Sequence, residues 1–282
     1  MKQTIFTVDS FTNRLFAGNP AGVCLLADTI DDTLKHQIAR ELNLSETAFL
    51  LDLYWRRDEP LVVVGAMRAP QAAGADGPAN LLAGVRAAAA PLSRGRGVLV
   101  VLNDTVHAAR WVRKRHAMLV QAFESPETGP LGMVVEGEVR YFQPAHRWAP
   151  PLPAISRPET RVALLQAWLG DDGELADLAR QAGYHGLVIA GAGAGHVPFA
   201  YAERFDDLCA ALPIVVAGRT GAGPTAHATY GYVGSEIDLA RRGALMAGWL
   251  NPAKARTLLW ALLASGVERG ELTERWAQYD SH

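Results

Sequence analysis

Short apolar runs separated by turn residues fill the first part of the chain and predict β-strands. Residues 4–8 (IFTVD) alternate apolar and polar side chains, and residues 22–26 form a second apolar run after the turn Gly18-Asn19-Pro20. The stretches ETAFLLDLYW (46–55) and LVVVGAM (61–67) are read as a third and a fourth strand.

Helical patterns interrupt these strands. Asp31 or Asp32 is suited to cap a helix that ends before residue 43, and ANLLAGVRAAAAPL (79–92) predicts another, with Asn80 as its cap. Further helices are predicted at 159–170, 172–183, 204–213 and 235–250, and residues 253–278 are predicted to be largely helical. Residues 186–202 predict a strand, a glycine-rich loop and another strand, and residues 213–219 predict one more strand.

The order of these elements suggests two similar halves. Each has several strands, then a loop with glycine, then an alanine-rich helix, at 74–90 and at 231–250. Strands outnumber helices and are not regularly separated by crossover helices, which favours an α+β fold with mixed or antiparallel sheets. We therefore predict an N-terminal domain over 1–120 and a C-terminal domain over 121–282 with a helical tail.

Composition narrows the class of protein. The chain has 282 residues, 27 basic and 29 acidic side chains, and a net charge of −2, so neither nucleic acid nor an anionic membrane is an expected partner. It has no apolar run of membrane-spanning length, and its first residues do not resemble a signal peptide, so we expect a cytoplasmic protein. Cys24 and Cys209 read as core residues, and no histidine spacing suggests a metal ligand set. We expect no cofactor and no metal.

Two stretches hold candidate chemistry. GAGAGHV (191–197) resembles a phosphate loop, but it lacks the Gly-Lys-Ser/Thr ending and does not open a clear helix, so a turn between strands is the favoured interpretation. His196 within it could belong to a site, although a lone histidine is more often structural. Glu46, in NLSETAF (43–49), has apolar neighbours that would raise the pKa of its carboxyl. It is either an exposed turn residue or an acid–base group.

The stretches VDSFTNRLFAGNPAGVCLLAD and QIARELNLSETAFLL resemble the N-terminal signature of the phenazine-biosynthesis PhzF-like family, which shares the diaminopimelate epimerase fold. The resemblance implies two domains, each a sheet wrapped around a central helix, with the active site in the cleft between them. It also implies that Glu46 is the proton shuttle. Asp238 would be the second catalytic carboxylate.

The chain departs from that family at both helix starts. Pro78 stands where a histidine is usual, and Arg241, Arg242 and Gly243 replace a Thr-Gly-Ser run. An inward-pointing arginine could clamp a carboxylate, and Asp76 could be a new acid, with a turn aspartate as the favoured alternative. The expected substrate-binding residues are Asn19, Ser45, Asp76, Gly77, Pro78, Arg241 and Gly243.

By this resemblance the expected activity is a cofactor-independent isomerase. It would shift a proton or double bond on a small carboxylic acid, in antibiotic or pigment biosynthesis, and the chain would be a homodimer. Two alternatives stay open: an enzyme of cyclisation or rearrangement in the same cleft, and a non-catalytic relative that binds a small acid.

Overall fold

A computed structural model describes residues 4–10, 19–25 and 44–279 of the chain. It divides into two compact units, unit 1 over Met1–Arg147 and unit 2 over Trp148–His282. The division expected at residue 120 falls inside unit 1. The helix expected before residue 43 lies outside the described residues.

Unit 1 combines one large sheet with two helices. Its helices are α1 (Leu44–Tyr54) and α2 (Gly77–Ala89), followed by a 3-10 turn at Pro91–Ser93. Its strands are β1 (Thr4–Ser10), β2 (Asn19–Leu25), β3 (Leu61–Val64), β4 (Val98–Leu102), β5 (Thr105–Ala108), β6 (Arg113–Lys114), β7 (Phe123–Glu124), β8 (Gly132–Val135) and β9 (Glu138–Tyr141). The strands predicted at 4–8 and 22–26 are confirmed over the described residues, and the one predicted at 61–67 is confirmed over Leu61–Val64.

The main sheet of unit 1 has the order β1-β2-β3-β4-β5-β8-β9 and is antiparallel except for the parallel pair β3–β4. Both faces of β3 and β4 are buried. Leu61 and Val63 pack with α1, whereas Val62 and Val64 pack with α2 on the opposite face. This burial on both faces explains why the two strands are continuous apolar runs without polar positions.

The prediction of a strand over 46–55 is wrong, because Leu44–Tyr54 form the helix α1 and Trp55 follows directly after it. Leu44, Ala48, Leu51 and Trp55 all pack into one core. Their spacing of four, three and four residues is that of one helix face, because an α-helix repeats every 3.6 residues. The helical period is hard to see in the sequence, because apolar leucine and aromatic side chains also occupy positions between those of this face.

Unit 2 is an α/β layer structure. Its strands are β10 (Val162–Gln166), β11 (Gly186–Gly191), β12 (Ile214–Gly218) and β13 (Leu245–Met246). Its helices are α3 (Glu174–Gln181), α4 (Phe199–Ala202), α5 (Phe205–Ala211), α6 (Glu236–Arg241), α7 (Pro252–Ala264) and α8 (Leu272–Ala277), with a 3-10 turn at Arg269–Glu271. The helix predicted over 204–213 is confirmed, and the largely helical stretch 253–278 consists of α7 and α8 with a break between them. The second strand predicted within 186–202 is wrong, because residues 199–202 form the short helix α4.

The four strands of unit 2 lie in sequence order and all run parallel. Leu187 and Ile189 of β11 face a core that includes Phe205 and Leu208 of α5. The other face carries α7, whose Leu259 and side chains near it lie against Gly186. A parallel sheet needs this cover on both faces, since each crossover connection places a helix on one of them.

Two predicted helices of unit 2 are shorter or absent. Residues 162–166 form an edge strand, in which Ala163 and Leu165 face the core, rather than a helix. The helix expected over 235–250 ends at Arg241, because Gly243 takes a φ of +99° and the amide of Ala244 bonds back to the carbonyl of Leu239. A left-handed glycine after the last turn is a common helix stop.

The predicted fold class is therefore wrong. The two units are not similar halves: one has a mostly antiparallel seven-stranded sheet and the other a parallel four-stranded sheet. Among the described residues of either unit, no sheet wraps around one central helix, since α1 and α2 cover opposite faces of the first sheet and helices also cover both faces of the second.

Candidate functional site

The residues expected to form the site in unit 1 occupy separate local structures. Glu46 lies in the first turn of α1, and not at a join between helix and strand, and its carboxylate accepts a hydrogen bond from the Ser45 hydroxyl at 2.7 Å. A negative charge there suits the positive end of the helix dipole. Asn19 lies in β2, where its backbone pairs with Ser10. The catalytic role of Glu46 stays a prediction.

Asp76 is a buried carboxylate at the start of α2. It accepts the backbone N–H groups of Met67 and Arg68 at 2.9–3.1 Å and the side-chain amide of Asn80 at 2.9 Å. Asn80 is therefore not the cap of this helix: Asp76 occupies that position, and Gly77 and Pro78 form the first turn. The Asp76 carboxylate therefore joins the loop after β3 to the start of α2.

The expected site residues of unit 2 lie along α6. Asp238 accepts the N–H of Gly234 at 2.9 Å and a side-chain bond from Arg242 at 3.1 Å, so it stabilises the start of its own helix. Arg242 also pairs with Asp206. Arg241 is exposed, and Gly243 is the helix stop described above. Asp238 and Arg242 are thus held in local structural contacts.

A different group of polar side chains gathers at one edge of the unit 2 sheet. We call Thr229, Tyr230, Tyr232, Glu236 and His196 the Glu236 cluster. His196 lies in the loop that follows β11, and the other four lie in or just after the loop that follows β12. Because the strands are parallel, these loops emerge at the same edge. The carboxyl ends of parallel strands are where ligands bind in open α/β sheets.

Glycines shape the loop that carries His196. Gly193 and Gly195 have φ values of +51° and +104°, and the backbone folds back so that Ala192 and His196 exchange hydrogen bonds at 2.7 and 2.9 Å. A Cβ on Gly191 would lie 2.7 Å from the His196 carbonyl oxygen. The glycine-rich stretch is thus required by a tight turn, and the resemblance to a phosphate loop is not needed to explain it.

A further glycine brings the second loop against the first. Gly234 has a φ of +89°, and its carbonyl accepts the Val197 amide at 2.9 Å. A Cβ there would lie 2.3 Å from the Val197 carbonyl oxygen. This close approach of two backbones sets Glu236, two residues on, beside His196.

Glu236 is completely buried and fully hydrogen-bonded. One carboxylate oxygen accepts the backbone amides of Thr229 and Tyr230, each at 2.7 Å, and the other contacts Nε2 of His196 at 3.0 Å. Burial acts to raise the pKa of this carboxyl, but the hydrogen bonds from Tyr230, Thr229 and His196 outweigh it, so the pKa lies below its ordinary value. Glu236 is therefore ionised near neutral pH.

An ionised Glu236 fixes the hydrogen bonds of His196. A carboxylate only accepts, so Nε2 of His196 carries the proton and donates it. In the neutral imidazole Nδ1 is then the acceptor for the Tyr232 hydroxyl, which lies 2.7 Å away. Burial and the charge of Glu236 both raise the pKa of Tyr232, so its phenol stays protonated. The rings of Tyr230 and Tyr232 meet the imidazole edge-on.

The sequence offered only part of this cluster. The sequence names His196 as a candidate and, through the resemblance, Asp238, but it does not point to Glu236. A serine followed by acidic residues is a typical helix start, and Ser235, Glu236 and Asp238 have this pattern after two glycines, Gly231 and Gly234. Recognising the parallel sheet would have placed that start opposite His196.

Comparison with known families covers nearly all of the described chain. Residues 43–147 match the family model "Asparaginase, N-terminal", and residues 161–275 match "Glutaminase/Asparaginase C-terminal domain". An L-asparaginase of Bacillus licheniformis is 34% identical over 80% of this chain and 69% of its own length. The chain belongs to the asparaginase family.

Other relatives agree with this assignment. L-asparaginase 2 of Escherichia coli is 36% identical over 84% of this chain and 68% of its own length. The crystal structure of a probable cytoplasmic L-asparaginase from Campylobacter jejuni superposes with a TM-score of 0.73 at 33% identity, over 83% of this chain and 71% of that one. The asparaginase-type two-domain fold thus replaces the expected epimerase fold.

The PhzF resemblance is confined to a short segment. The model "Phenazine biosynthesis-like protein" matches residues 8–60 only, and it overlaps the asparaginase match over residues 43–60. Placing the whole chain in that family was wrong, and so were the isomerase activity and the link to antibiotic or pigment biosynthesis. The cyclisation and small-acid-binding alternatives lose their basis, since they depended on the same resemblance.

Two further properties follow from the described residues. None of their helices has the length and apolar character of a membrane-spanning segment. Over the same ranges, no group of three or more His, Cys, Asp or Glu side chains is placed to hold a metal ion.

Proposed function

We propose that this chain hydrolyses the side-chain amide of L-asparagine to aspartate and ammonia. The observation that carries the proposal is family membership across both units, with relatives named L-asparaginases that are 34–38% identical. In the reaction, the oxygen of water bonds to the amide carbon, the C–N bond breaks, and the nitrogen leaves as ammonia.

The Glu236 cluster supports this proposal chemically. Amide hydrolysis requires a proton to reach the departing nitrogen, and positioned histidine, carboxylate and phenol groups are typical carriers of such a proton. Here a buried carboxylate orients an imidazole, which in turn bonds an exposed phenol. Asparagine is a small carboxylic acid, so the substrate class expected from the sequence is part of the proposal.

L-glutamine is a second candidate substrate. The family model that covers unit 2 includes glutaminases in its description, and glutamine differs from asparagine by one methylene. A hydrophobic pocket discriminates one methylene by only about 10- to 200-fold. We therefore expect some activity on glutamine, below that on asparagine.

The test is ammonia release by the purified full chain from L-asparagine, L-glutamine and D-asparagine, in water enriched in oxygen-18. We expect ammonia from L-asparagine together with one oxygen-18 atom in the carboxylate of the aspartate formed. Release of ammonia without the label would point to another reaction. No ammonia from any of the three amides would overturn the proposal.

Oligomeric state and location stay predictions. A homodimer was expected from the sequence, and light scattering during gel filtration measures it. A cytoplasmic location was also expected. One relative is named periplasmic and the structural neighbour is called cytoplasmic, so fractionation of the source cells is the measurement that decides.

A further inference from the structure

A β-hairpin of unit 1 combines a buried stem with an exposed end. Its strands are β6 and β7, which pair antiparallel. The stem is anchored, because Val112 is fully buried in a core cluster of unit 1 and Phe123 packs against the same cluster. Residues 114–119, which we call the hairpin tip, are all exposed. The tip is therefore presented to the surroundings on a fixed base.

Hydrogen bonds give the hairpin tip a defined backbone shape. The Arg115 amide donates to the Ala122 carbonyl at 2.7 Å. Nδ1 of His116 accepts the amides of Met118 and Leu119 at 3.0 and 3.1 Å. Because unpaired backbone groups are costly to remove from water, these bonds lower the free-energy cost of placing the tip in an apolar medium.

Two aliphatic side chains stand next to each other in the hairpin tip. Met118 is 76% exposed and Leu119 is 45% exposed. Single exposed apolar residues are common on protein surfaces. Two consecutive ones at an ordered turn, directly after basic residues, form instead a small amphipathic element, which suits the boundary between lipid headgroups and acyl chains.

The hairpin tip also carries positive charge. It contains Lys114 and Arg115, and residues 114–123 include no Asp or Glu. Arg113, at the base of the tip, is paired with Glu127. The expectation of no membrane partner rested on the net charge of the whole chain, which is −2. Attraction to a membrane depends instead on the charges that lie within about a Debye length of it.

We propose that the hairpin tip docks this chain on a membrane surface that contains anionic lipid. Met118 and Leu119 enter the boundary between headgroups and acyl chains, while Lys114 and Arg115 contact the lipid phosphates. Aliphatic side chains favour lipid over single-stranded nucleic acid, whose bases stack on aromatic rings. The inference is independent of the proposed amide hydrolysis, because it uses no residue of the Glu236 cluster.

The first test is flotation of the full chain with vesicles of phosphatidylcholine, either alone or with about 30% phosphatidylserine. We expect binding to the anionic vesicles and little to the neutral ones. Binding should weaken at about 1 M salt, where the Debye length is only about 3 Å.

Met118→Ser combined with Leu119→Ser should weaken binding to the anionic vesicles by about 30-fold or more, because both apolar side chains are lost from the acyl boundary. Leu169→Ser is the matched control, since it removes a fully exposed leucine from unit 2. We expect this control to bind the vesicles as wild type does.

The second test removes charge and leaves the apolar side chains in place. Arg115→Gln should weaken binding to the anionic vesicles by about five-fold, which is the effect of one basic residue near a charged membrane. Arg140→Gln, at an exposed position of β9, is its control and should change binding by less than about two-fold. Thermal unfolding followed by circular dichroism checks that every variant is folded.

Several outcomes would overturn membrane docking by the hairpin tip. Wild type could bind neither kind of vesicle, or it could bind neutral and anionic vesicles equally. The variant without Met118 and Leu119 could bind as strongly as Leu169→Ser. If polyuridylate RNA binds wild type, Arg115→Gln weakens that binding and the vesicles do not bind, the tip is a nucleic-acid site and the proposal fails.

Discussion

At the scale of single residues, buried carboxylates hold the loops of both units. Asp76 in unit 1 and Glu236 in unit 2 each accept two backbone amides and one side chain. A carboxylate that accepts several such bonds keeps its charge despite burial. A buried, hydrogen-bonded carboxylate therefore joins a loop to a helix in unit 1 and orders the candidate site in unit 2.

Asp76→Asn should destabilise unit 1 by about 1–3 kcal/mol near neutral pH, because an amide presents donors to the amides of Met67 and Arg68. Burial raises the pKa of Asp76 but the backbone hydrogen bonds outweigh it, so the folded pKa lies below the ordinary 3.8. The stabilisation is thus present above pH 3.8 and lost as pH falls through the folded pKa.

Urea unfolding of wild type and Asp76→Asn, at neutral pH and at pH values below 3.8, measures the difference in their free energies of unfolding. Asp58→Asn is the control, since Asp58 is exposed and its pairing with Arg94 is a surface ion pair. If the difference in free energy of unfolding between wild type and Asp76→Asn does not shrink in acid, the stabilisation does not come from the ionised carboxylate of Asp76.

At the scale of elements, α2 depends on a close approach to β3. Gly84 faces the strand, and a Cβ there would lie 2.4 Å from a methyl carbon of Val64. Alanine would gain about 0.5–1 kcal/mol of helix propensity over glycine. It would also overpack a filled core, which typically costs about 1–3 kcal/mol.

We expect Gly84→Ala to lower the free energy of unfolding, measured by urea titration. Gly270→Ala is the matched control, since its added Cβ has no heavy atom within 4 Å. Unchanged or increased stability in Gly84→Ala would mean that α2 can shift away from β3 at little cost.

At the scale of the whole molecule, each unit has its own core. Unit 2 buries Leu187, Ile214 and Phe205 within its own sheet and helices. Its ends are also tied together, because the rings of Trp148 and Tyr279 stack edge-on at 5.4 Å and the Tyr279 hydroxyl donates to the Pro150 carbonyl. A unit with a complete core of this size is expected to fold alone.

We expect a fragment of residues 148–282 to unfold in one cooperative thermal transition with a near-ultraviolet circular dichroism signal. The same fragment with Phe205→Ala should lose about 3–5 kcal/mol, because Phe205 is fully buried. A gradual loss of signal in the parent fragment, without a transition, would show that unit 2 depends on unit 1.

The sequence alone determined the buried strands and several helices, because continuous apolar runs and amphipathic periods act locally. The β-branched apolar runs Leu61–Val64 and Ile214–Gly218 favour buried strands, and the alanine-rich composition of Gly77–Ala89 favours a helix. It also drew attention to His196.

Only the tertiary structure decided the fold class and the candidate site. The segment NLSETAF fits two families, since matches to both cover residues 43–60, and local pattern could not choose between them. The parallel order of β10 to β13 and the approach of Gly234 to Val197 depend on contacts between distant residues. Those contacts bring His196 next to Glu236, which lies forty positions further along the chain. No periodic pattern in the sequence predicts a contact between residues so far apart.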